Sequence, residues 1–201
     1  APCSDRVESI AAEPDPDSRR GVASVATRVA PMAADELLES QPVEVSPEQV
    51  DSILRDLYGI SGEVADLPGE RDRNFLVSTP DARYNLKVAN PAERLAVLEM
   101  QQLALRHIHN WAPEVPIPDP VPTMNGKLAG MVAVDDTPAA ARMTTYLPGR
   151  TVDEVGYTAQ LRTHTMETLA RIDRALSTFS HPELTRALLW NPTQVLELRP
   201  N

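Results

Sequence analysis

The residues with the clearest chemical potential are a lysine and a glutamate twelve positions apart. Lys87 lies in the run RYNLKV (83–88), where apolar and polar residues alternate, and Glu99 follows in a stretch with helical periodicity. In a strand, this alternation puts Leu86 and Val88 on the buried face and Lys87 on the opposite one. An ammonium group aimed by a nearby carboxylate is suited to holding a polyphosphate, because a mobile lysine alone would often point elsewhere.

The segment before this strand is predicted to be a loop. Residues 67–72, LPGERD, combine Pro68, Gly69 and several charges, which disfavours regular structure. A short apolar run at 75–77 follows, and Pro-Asp-Ala then separates it from the run that contains Lys87. The sequence therefore predicts a hairpin of two strands whose leading loop lies near the lysine.

A helix is predicted directly after the hairpin. Asn90 fits an N-cap, the proline after it fits the first helical position, and Glu93 can reach back to the cap. The helix is predicted to run to about His107, which places Glu99 on it. When that helix packs on the sheet, Glu99 should form an ion pair with Lys87.

Several blocks together resemble the aminoglycoside phosphotransferase superfamily. They are GERDRNFLV (69–77), LKVANP (86–91), LEMQ (98–101) and TYLPGR (145–150). Within the superfamily, the chain is similar to hydroxylysine kinase and to the phosphotransferase domain that some bacteria fuse in front of a class III aminotransferase. The resemblance extends from about Val45 to the C-terminus, and it makes a fused aminotransferase domain one expected partner.

The resemblance implies an α+β fold in three parts. Residues 1–43 would be a disordered or loosely ordered tail, and residues 44–150 a protein-kinase-like nucleotide-binding N-lobe. That lobe would hold about five strands in a mixed antiparallel sheet plus a helix. Residues 151–201 would be the first helices of a truncated, incomplete C-lobe.

The resemblance also implies site roles for ATP, with magnesium as a cofactor of the complete enzyme. Lys87 would contact the phosphates and Glu99 would orient it. Asn85 faces the same cleft, at a position where the family usually has a small apolar residue against adenine. The other expected cofactor-binding residues belong to the loop over the phosphates and to the hinge beside adenine: Gly69, Arg71, Asn74, Thr145 and Tyr146.

The sequence departs from a complete kinase in its catalytic motifs. No histidine is followed two residues later by an aspartate, so we assign no catalytic and no metal-binding residue, and by resemblance that loop should lie beyond Asn201. Trp190-Asn191-Pro192 also stands where the family tends to have Trp-Asp-Leu. Two functions remain open: the ATP-binding part of a small-molecule kinase acting on a hydroxyl, such as that of an amino alcohol, or a non-catalytic kinase-derived module that binds a nucleotide or a partner.

Local patterns predict the remaining elements. Ser46 should cap a helix that Gly59 closes, and a first strand should span 63–67. The segment 111–122 has five prolines, which favours a linker or a sheet edge over a proline-rich ligand for another domain. The further predicted elements are a turn at Asn125-Gly126 joining two strands, a strand at 129–134, a hairpin turn at Asp135-Asp136, a last strand at 140–146 and a helix over 158–178. For residues 147–150 the resemblance implies the hinge between the lobes, and the alternative is an ordinary exit turn with Gly149 at positive φ.

Composition excludes several function classes. The net charge of −10 and the pI near 4.8 argue against a nucleic-acid partner, which clustered Lys and Arg would bind. Cys3 is the only cysteine, so no intrachain disulfide can form, and a reducing, cytoplasmic setting is expected. No apolar run is long enough to cross a bilayer, so no membrane partner is expected. His107 and His109 do not face one direction on a helix and are therefore not predicted to bind a metal.

Overall fold

The computed structural model describes residues 42–185, and these form one sheet flanked by helices. The Trp190-Asn191-Pro192 segment, which departs from the family's pattern, and residues 1–41 of the predicted tail lie outside this range. Val43, the last residue assigned to the tail, packs against the core. The strands are β1 (Glu63–Leu67), β2 (Arg73–Ser78), β3 (Arg83–Val88), β4 (Pro120–Val121), β5 (Gly130–Val134) and β6 (Thr137–Thr145), and the α-helices are α1 (Pro47–Ile53), α2 (Leu95–Trp111), α3 (Val152–Val155) and α4 (Ala159–Leu176).

The sheet is antiparallel and has the order β1-β2-β3-β6-β4, with β5 also paired to β6. It has six strands where about five were predicted. The shortest strand, β4, comes from the proline-rich segment and lies at the edge, where the missing N–H of Pro120 breaks no ladder. Lys87 is central, because it faces Asn74 on one neighbouring strand and Arg142 on the other.

Both faces of the sheet are covered. One face packs on α1 and on the π-helical turn Leu54–Tyr58, and its core includes the fully buried Leu54 and Leu86. The other face packs on α2 through Leu98 and through alanines of the sheet and its loops. Because side chains alternate along β3, Lys87 points to the α2 face, as its pattern predicted.

The N-terminal helix forms as predicted. Ser46 and Gln49 make a capping box, in which the Ser46 hydroxyl accepts from the Gln49 N–H at 3.3 Å and Gln49 Oε1 accepts from the Ser46 N–H at 2.8 Å. The π-helical turn then ends at Gly59, whose φ of 66° lies in the left-handed region that favours glycine. Local sequence therefore determines both ends of this segment.

The predicted start of α2 is wrong by four residues. The helix begins at Leu95, after Arg94, and runs to Trp111 rather than to His107. Asn90 caps a separate turn, since its Oδ1 accepts from the Ala92 N–H at 2.9 Å. A short Asn side chain can bond to the backbone of such a turn as well as to a helix start, and here the turn is formed.

Turns form at Asp135-Asp136 and at Asn125-Gly126, as predicted. Asp135 and Asp136 have φ angles of 45° and 62°, as a two-residue hairpin turn between β5 and β6 requires. Gly126 has a φ of 79°, but its turn connects two strands that each pair with β6 and not with each other. Gly149 is not among the described residues with positive φ, so the alternative of an exit turn with Gly149 at positive φ is not formed.

The helical segment at the C-terminal end of the described range packs against α2. Thr158 caps α4 through its hydroxyl, which accepts from the Leu161 N–H at 3.1 Å. His107 links the two helices, since its Nε2 lies 2.9 Å from the Ala175 carbonyl oxygen and 3.0 Å from Thr178 Oγ1. The predicted helix over 158–178 is therefore confirmed within two residues at its end.

Candidate functional site

Lys87 lies half-buried on the α2 face, where its ammonium group is ion-paired. Its Nζ is 2.5 Å from Asp72 Oδ2, and the two side chains are only 22% and 23% exposed. The second oxygen, Asp72 Oδ1, accepts from the Asn90 backbone N–H at 2.9 Å. Asp72 thus joins the loop before β2, the lysine on β3 and the turn that leads to α2.

The ion-pair partner of Lys87 differs from the prediction. Within residues 42–185 the structure contains a Lys87–Asp72 pair and no Lys87–Glu99 pair, although Glu99 lies half-buried near the start of α2. The register explains the difference, because Asn74 is opposite Lys87 and the alternation places Asp72 on the same face. Residues two apart on a strand share a face, so the spacing of Asp72 and Asn74 is the sequence signal that could have identified Asp72.

The loop beside Lys87 is closed by Asn74 and depends on Gly69. Asn74 Nδ2 lies 3.4 Å from the Pro68 carbonyl oxygen, across the base of the loop. A Cβ atom on Gly69 would collide with the Asp72 carbonyl oxygen and would approach Asn74 Nδ2 to 2.6 Å. Close approach of these atoms therefore requires glycine at position 69, and the loop with Gly69 and Arg71 lies beside Asn74 of β2, which is opposite Lys87.

A second cation, missed by sequence reasoning, lies opposite Lys87. Arg142 on β6 donates through Nη1 to Gln102 Oε1 at 3.2 Å, and Gln102 is fully buried. Gln102 Nε2 in turn donates to the Met143 carbonyl oxygen at 2.9 Å. Burial lowers the pKa of the Arg142 guanidinium, while the Asp72 carboxylate raises it. Two cations and one carboxylate therefore meet on this face.

The predicted hinge residues lie at the opposite end of β3 from Asp72. The Thr145 N–H donates to the Asp119 carbonyl oxygen at 2.9 Å, and the Tyr146 N–H donates to the Arg83 carbonyl oxygen at 2.8 Å. The Arg83 guanidinium carbon is 5.3 Å from the centroid of the Tyr146 ring. Because both backbone donors are engaged within the protein, a ligand at Thr145 or Tyr146 would meet their carbonyl oxygens.

Asn85 lies between the hinge and Lys87 on the same face of β3. It is opposite Thr144 on β6 and Leu76 on β2. Its Oδ1 atom is buried and has no hydrogen-bond donor in the part of the chain that the structure describes. A buried acceptor without a partner is costly, so this oxygen is suited to a donor supplied by a ligand.

The other sequence candidates do not form a metal site. His109 Nδ1 lies 3.2 Å from Asp119 Oδ1, whereas His107 contacts α4. Between residues 42 and 185, no group of three or more His, Cys, Asp and Glu side chains is placed to hold a metal ion. Among the same residues, no helix has the length and apolar character needed to span a membrane.

Sequence comparison connects the chain to phosphotransferases. A model of the phosphotransferase enzyme family (APH) matches residues 63–201. Hydroxylysine kinase of Danio rerio is 30% identical over 170 residues, which cover 78% of this chain and 47% of the relative. Hydroxylysine kinase of Mus musculus is 26% identical over 162 residues, which cover 71% and 43%. The chain thus spans about half the length of these curated relatives.

Comparison with solved structures agrees with the predicted fold class. An amicoumacin kinase in complex with AMP-PNP and Ca²⁺ superposes with a TM-score of 0.59 at 18% identity, covering 75% of this chain and 46% of that structure. A microcompartment-associated aminopropanol kinase superposes with a TM-score of 0.60 at 16% identity, covering 74% and 46%. These likenesses show a shared kinase-like fold, and the family match covers more than half of the chain. The chain therefore belongs to the phosphotransferase enzyme family (APH).

Proposed function

We propose that residues 44–150 bind ATP and are the nucleotide-binding part of a small-molecule kinase. The observation that carries this proposal is the position of Lys87, half-buried beside a glycine loop on the face of the sheet that packs on α2. Positive charge next to closely packed loop backbone is suited to a polyphosphate. Family membership supports the same assignment.

The site residues fit a nucleotide from the hinge to the loop. The unpartnered Asn85 oxygen can accept a hydrogen bond from a base, and the carbonyl oxygens of Thr145 and Tyr146 border the same end. Lys87 and Arg142 can hold phosphate oxygens, and the absence of a Cβ at Gly69 lets the loop close on Asp72 and Asn74 beside Lys87. ATP, bound together with magnesium, would supply the γ-phosphoryl group that the complete enzyme transfers.

Three further residues have supporting roles in this proposal. Glu99 is a second carboxylate that can orient Lys87 from α2, in addition to Asp72. Arg71 and Asn74 would cover the phosphates, because Arg71 belongs to the loop beside the lysine and Asn74, on β2, closes that loop. These assignments concern binding and orientation only, because no residue of the chain is assigned as the catalytic carboxylate.

We infer that the acceptor of the complete enzyme is a hydroxyl of a small molecule, such as an amine-bearing alcohol. Two relatives are named for acting on hydroxylysine and one structural neighbour for acting on aminopropanol. Each of those compounds carries an amine and a hydroxyl. The fusion to a class III aminotransferase is also a proposal, and it rests on the resemblance alone.

The test of ATP binding is a titration of the chain with ATP and magnesium by isothermal calorimetry. Replacing Lys87 with methionine should weaken binding about tenfold or more, as the loss of a charge-assisted hydrogen bond predicts. Lys127→Met is the matched control, because Lys127 is exposed and is the only other lysine. Equal ATP affinity of the two variants would contradict the proposal.

A second candidate is a kinase-derived module that binds the nucleotide without turning it over. Labelled ATP, magnesium and a panel of amino alcohols separate the two functions. Phosphorylated product that disappears in Lys87→Met would support a kinase, and binding without product would support the module.

A further inference from the structure

The gap between the loop and Lys87 is filled by a side chain of the loop itself. Asp72 Oδ2 lies 2.5 Å from Lys87 Nζ, so no phosphate group can lie between these two atoms. The loop is held in this position at two further points, by Asp72 Oδ1 on the Asn90 N–H and by Asn74 on the Pro68 carbonyl oxygen. A ligand that reaches Lys87 from under the loop must first displace Asp72.

The charges around Asp72 indicate what could displace it. Lys87 and Arg142 are cross-strand neighbours, and the Asp72 carboxylate interacts favourably with both. Without an anion, these two like charges would repel each other in a half-buried setting. A single carboxylate therefore balances a pair of cations, and an anion with several charged oxygens can bind both more strongly.

We propose that Asp72 is a specificity-determining residue that occupies the phosphate subsite and exchanges with the polyphosphate of the nucleotide. This inference rests on the proposed nucleotide-binding function. Because Asp72 is tethered to the loop, it competes at a high effective concentration, on the order of millimolar. Anions with one or two charges are then excluded from Lys87, while a triphosphate that binds Lys87 and Arg142 together replaces the carboxylate.

The scarcity of lysine allows this exchange to be measured directly at Lys87. The chain has two lysines, Lys87 and the exposed Lys127, so acetylation by an N-hydroxysuccinimide ester can be quantified at each by mass spectrometry. The ratio of the two rates reports how well Lys87 is protected. Inorganic tripolyphosphate, ATP with magnesium, inorganic phosphate and adenosine are the added ligands.

The key variant is Asp72→Asn, which keeps the shape of the side chain and an acceptor for the Asn90 N–H. In this variant Lys87 should react several times faster relative to Lys127. The tripolyphosphate or ATP concentration that gives half-protection should fall by up to about fivefold, the factor that corresponds to removing one competing ion pair. Inorganic phosphate should protect Lys87 in Asp72→Asn but not in the wild type, and adenosine should act equally on both.

Asp66→Asn is the matched control, since Asp66 is a nearby exposed aspartate whose partner is Arg73. It removes the same charge and should leave the protection of Lys87 unchanged. Asp72→Ser repeats the test with a smaller side chain, and unchanged thermal melting of either Asp72 variant shows that the fold is intact.

The outcomes separate this inference from the proposed function. A half-protecting concentration that is unchanged or higher in both Asp72 variants would overturn the exchange. If tripolyphosphate protects Lys87 better in Asp72→Asn than in the wild type, the exchange is supported. If, in addition, ATP binds no better than tripolyphosphate, the nucleotide assignment is contradicted. Equal effects of Asp66→Asn and Asp72→Asn would attribute the change to overall charge and would also overturn the inference.

Discussion

At the scale of single residues, the Lys87–Asp72 pair matters more for the site than for stability. Partly exposed ion pairs typically stabilise a fold by about 0–1 kcal/mol, because solvent screening weakens the attraction and pairing costs side-chain entropy. The pair nevertheless fixes the ammonium between a loop and a neighbouring cation, Arg142. Its main effect is therefore to determine where the Lys87 charge lies and what it can bind.

Gly69 is the loop residue whose replacement should change this arrangement most. A methyl group at this position meets the Asp72 carbonyl oxygen, which is backbone and cannot move by a rotamer change. Gly69→Ala should therefore open the loop, separate Asp72 from Lys87 and raise the acetylation rate of Lys87 relative to Lys127. The unfolding free energy should fall by about 1–2 kcal/mol, the usual effect of local overpacking.

The control for this prediction is Gly149→Ala, because a Cβ there meets nothing within 4 Å and the residue has no positive φ. Both variants are compared by chemical denaturation and by lysine labelling. Equal behaviour of the two alanine variants would show that the loop does not need glycine at position 69.

The residues of the site differ in how far sequence predicts them. Lys87 was predictable because its strand alternates and one face is buried, which is a local signal. Asp72 and Arg142 were not identified, since their positions depend on the register of β2 and β6 against β3. Register is set by pairing between distant segments, and periodicity within one segment does not reveal it.

At the scale of elements, capping signals predicted boundaries well where they had no competitor. The Ser46 capping box and the left-handed Gly59 bound the first helical segment as expected. The same kind of signal failed at Asn90, where a turn competes successfully for the side chain. Helix α2 is instead positioned by tertiary contacts, including the bond from buried Gln102 to the backbone of β6.

The π-helical turn contains a tyrosine whose hydroxyl is buried in the core. Tyr58 Oη has no hydrogen-bond partner within residues 42–185, and burial raises the pKa of Tyr58 well above its ordinary value, with nearby Arg142 opposing the shift. At alkaline pH the native state therefore keeps the phenolic proton of Tyr58, whereas the unfolded chain loses it. The tyrosine's contribution to the unfolding free energy is therefore fully present below about pH 10 and decreases as pH rises above it.

Tyr58→Phe should remove this part of the alkaline destabilisation. It should also raise the unfolding free energy at pH 7 by about 1 kcal/mol, because it deletes a buried polar group without a partner. Urea denaturation at pH 7 and pH 11 measures both effects. Tyr157→Phe is the control, since Tyr157 is 59% exposed, and an identical pH response of the two variants would refute the assignment to Tyr58.

At the scale of the whole molecule, the sheet is well covered while the segment after it is not. One face of the sheet has a large core against α1, and the other has α2. In contrast, Ala175 is the only buried residue that the structure describes in α4, and α3 has none. The exposed apolar side chains of this segment include Val152, Tyr157, Met166 and Leu169.

The exposed apolar face of α4 predicts that the 201-residue chain self-associates. Met166 and Leu169 are 62% and 47% exposed and lie three residues apart, so they share one side of the helix. Replacing both with glutamate should shift the chain towards the monomer in sedimentation-velocity runs at several concentrations. Met131→Glu is the control, because Met131 is also exposed, at 51%, but lies on β5. If Met131→Glu disperses the oligomers equally, or if the wild type is monomeric throughout, the face of α4 is not the contact that the exposure predicts.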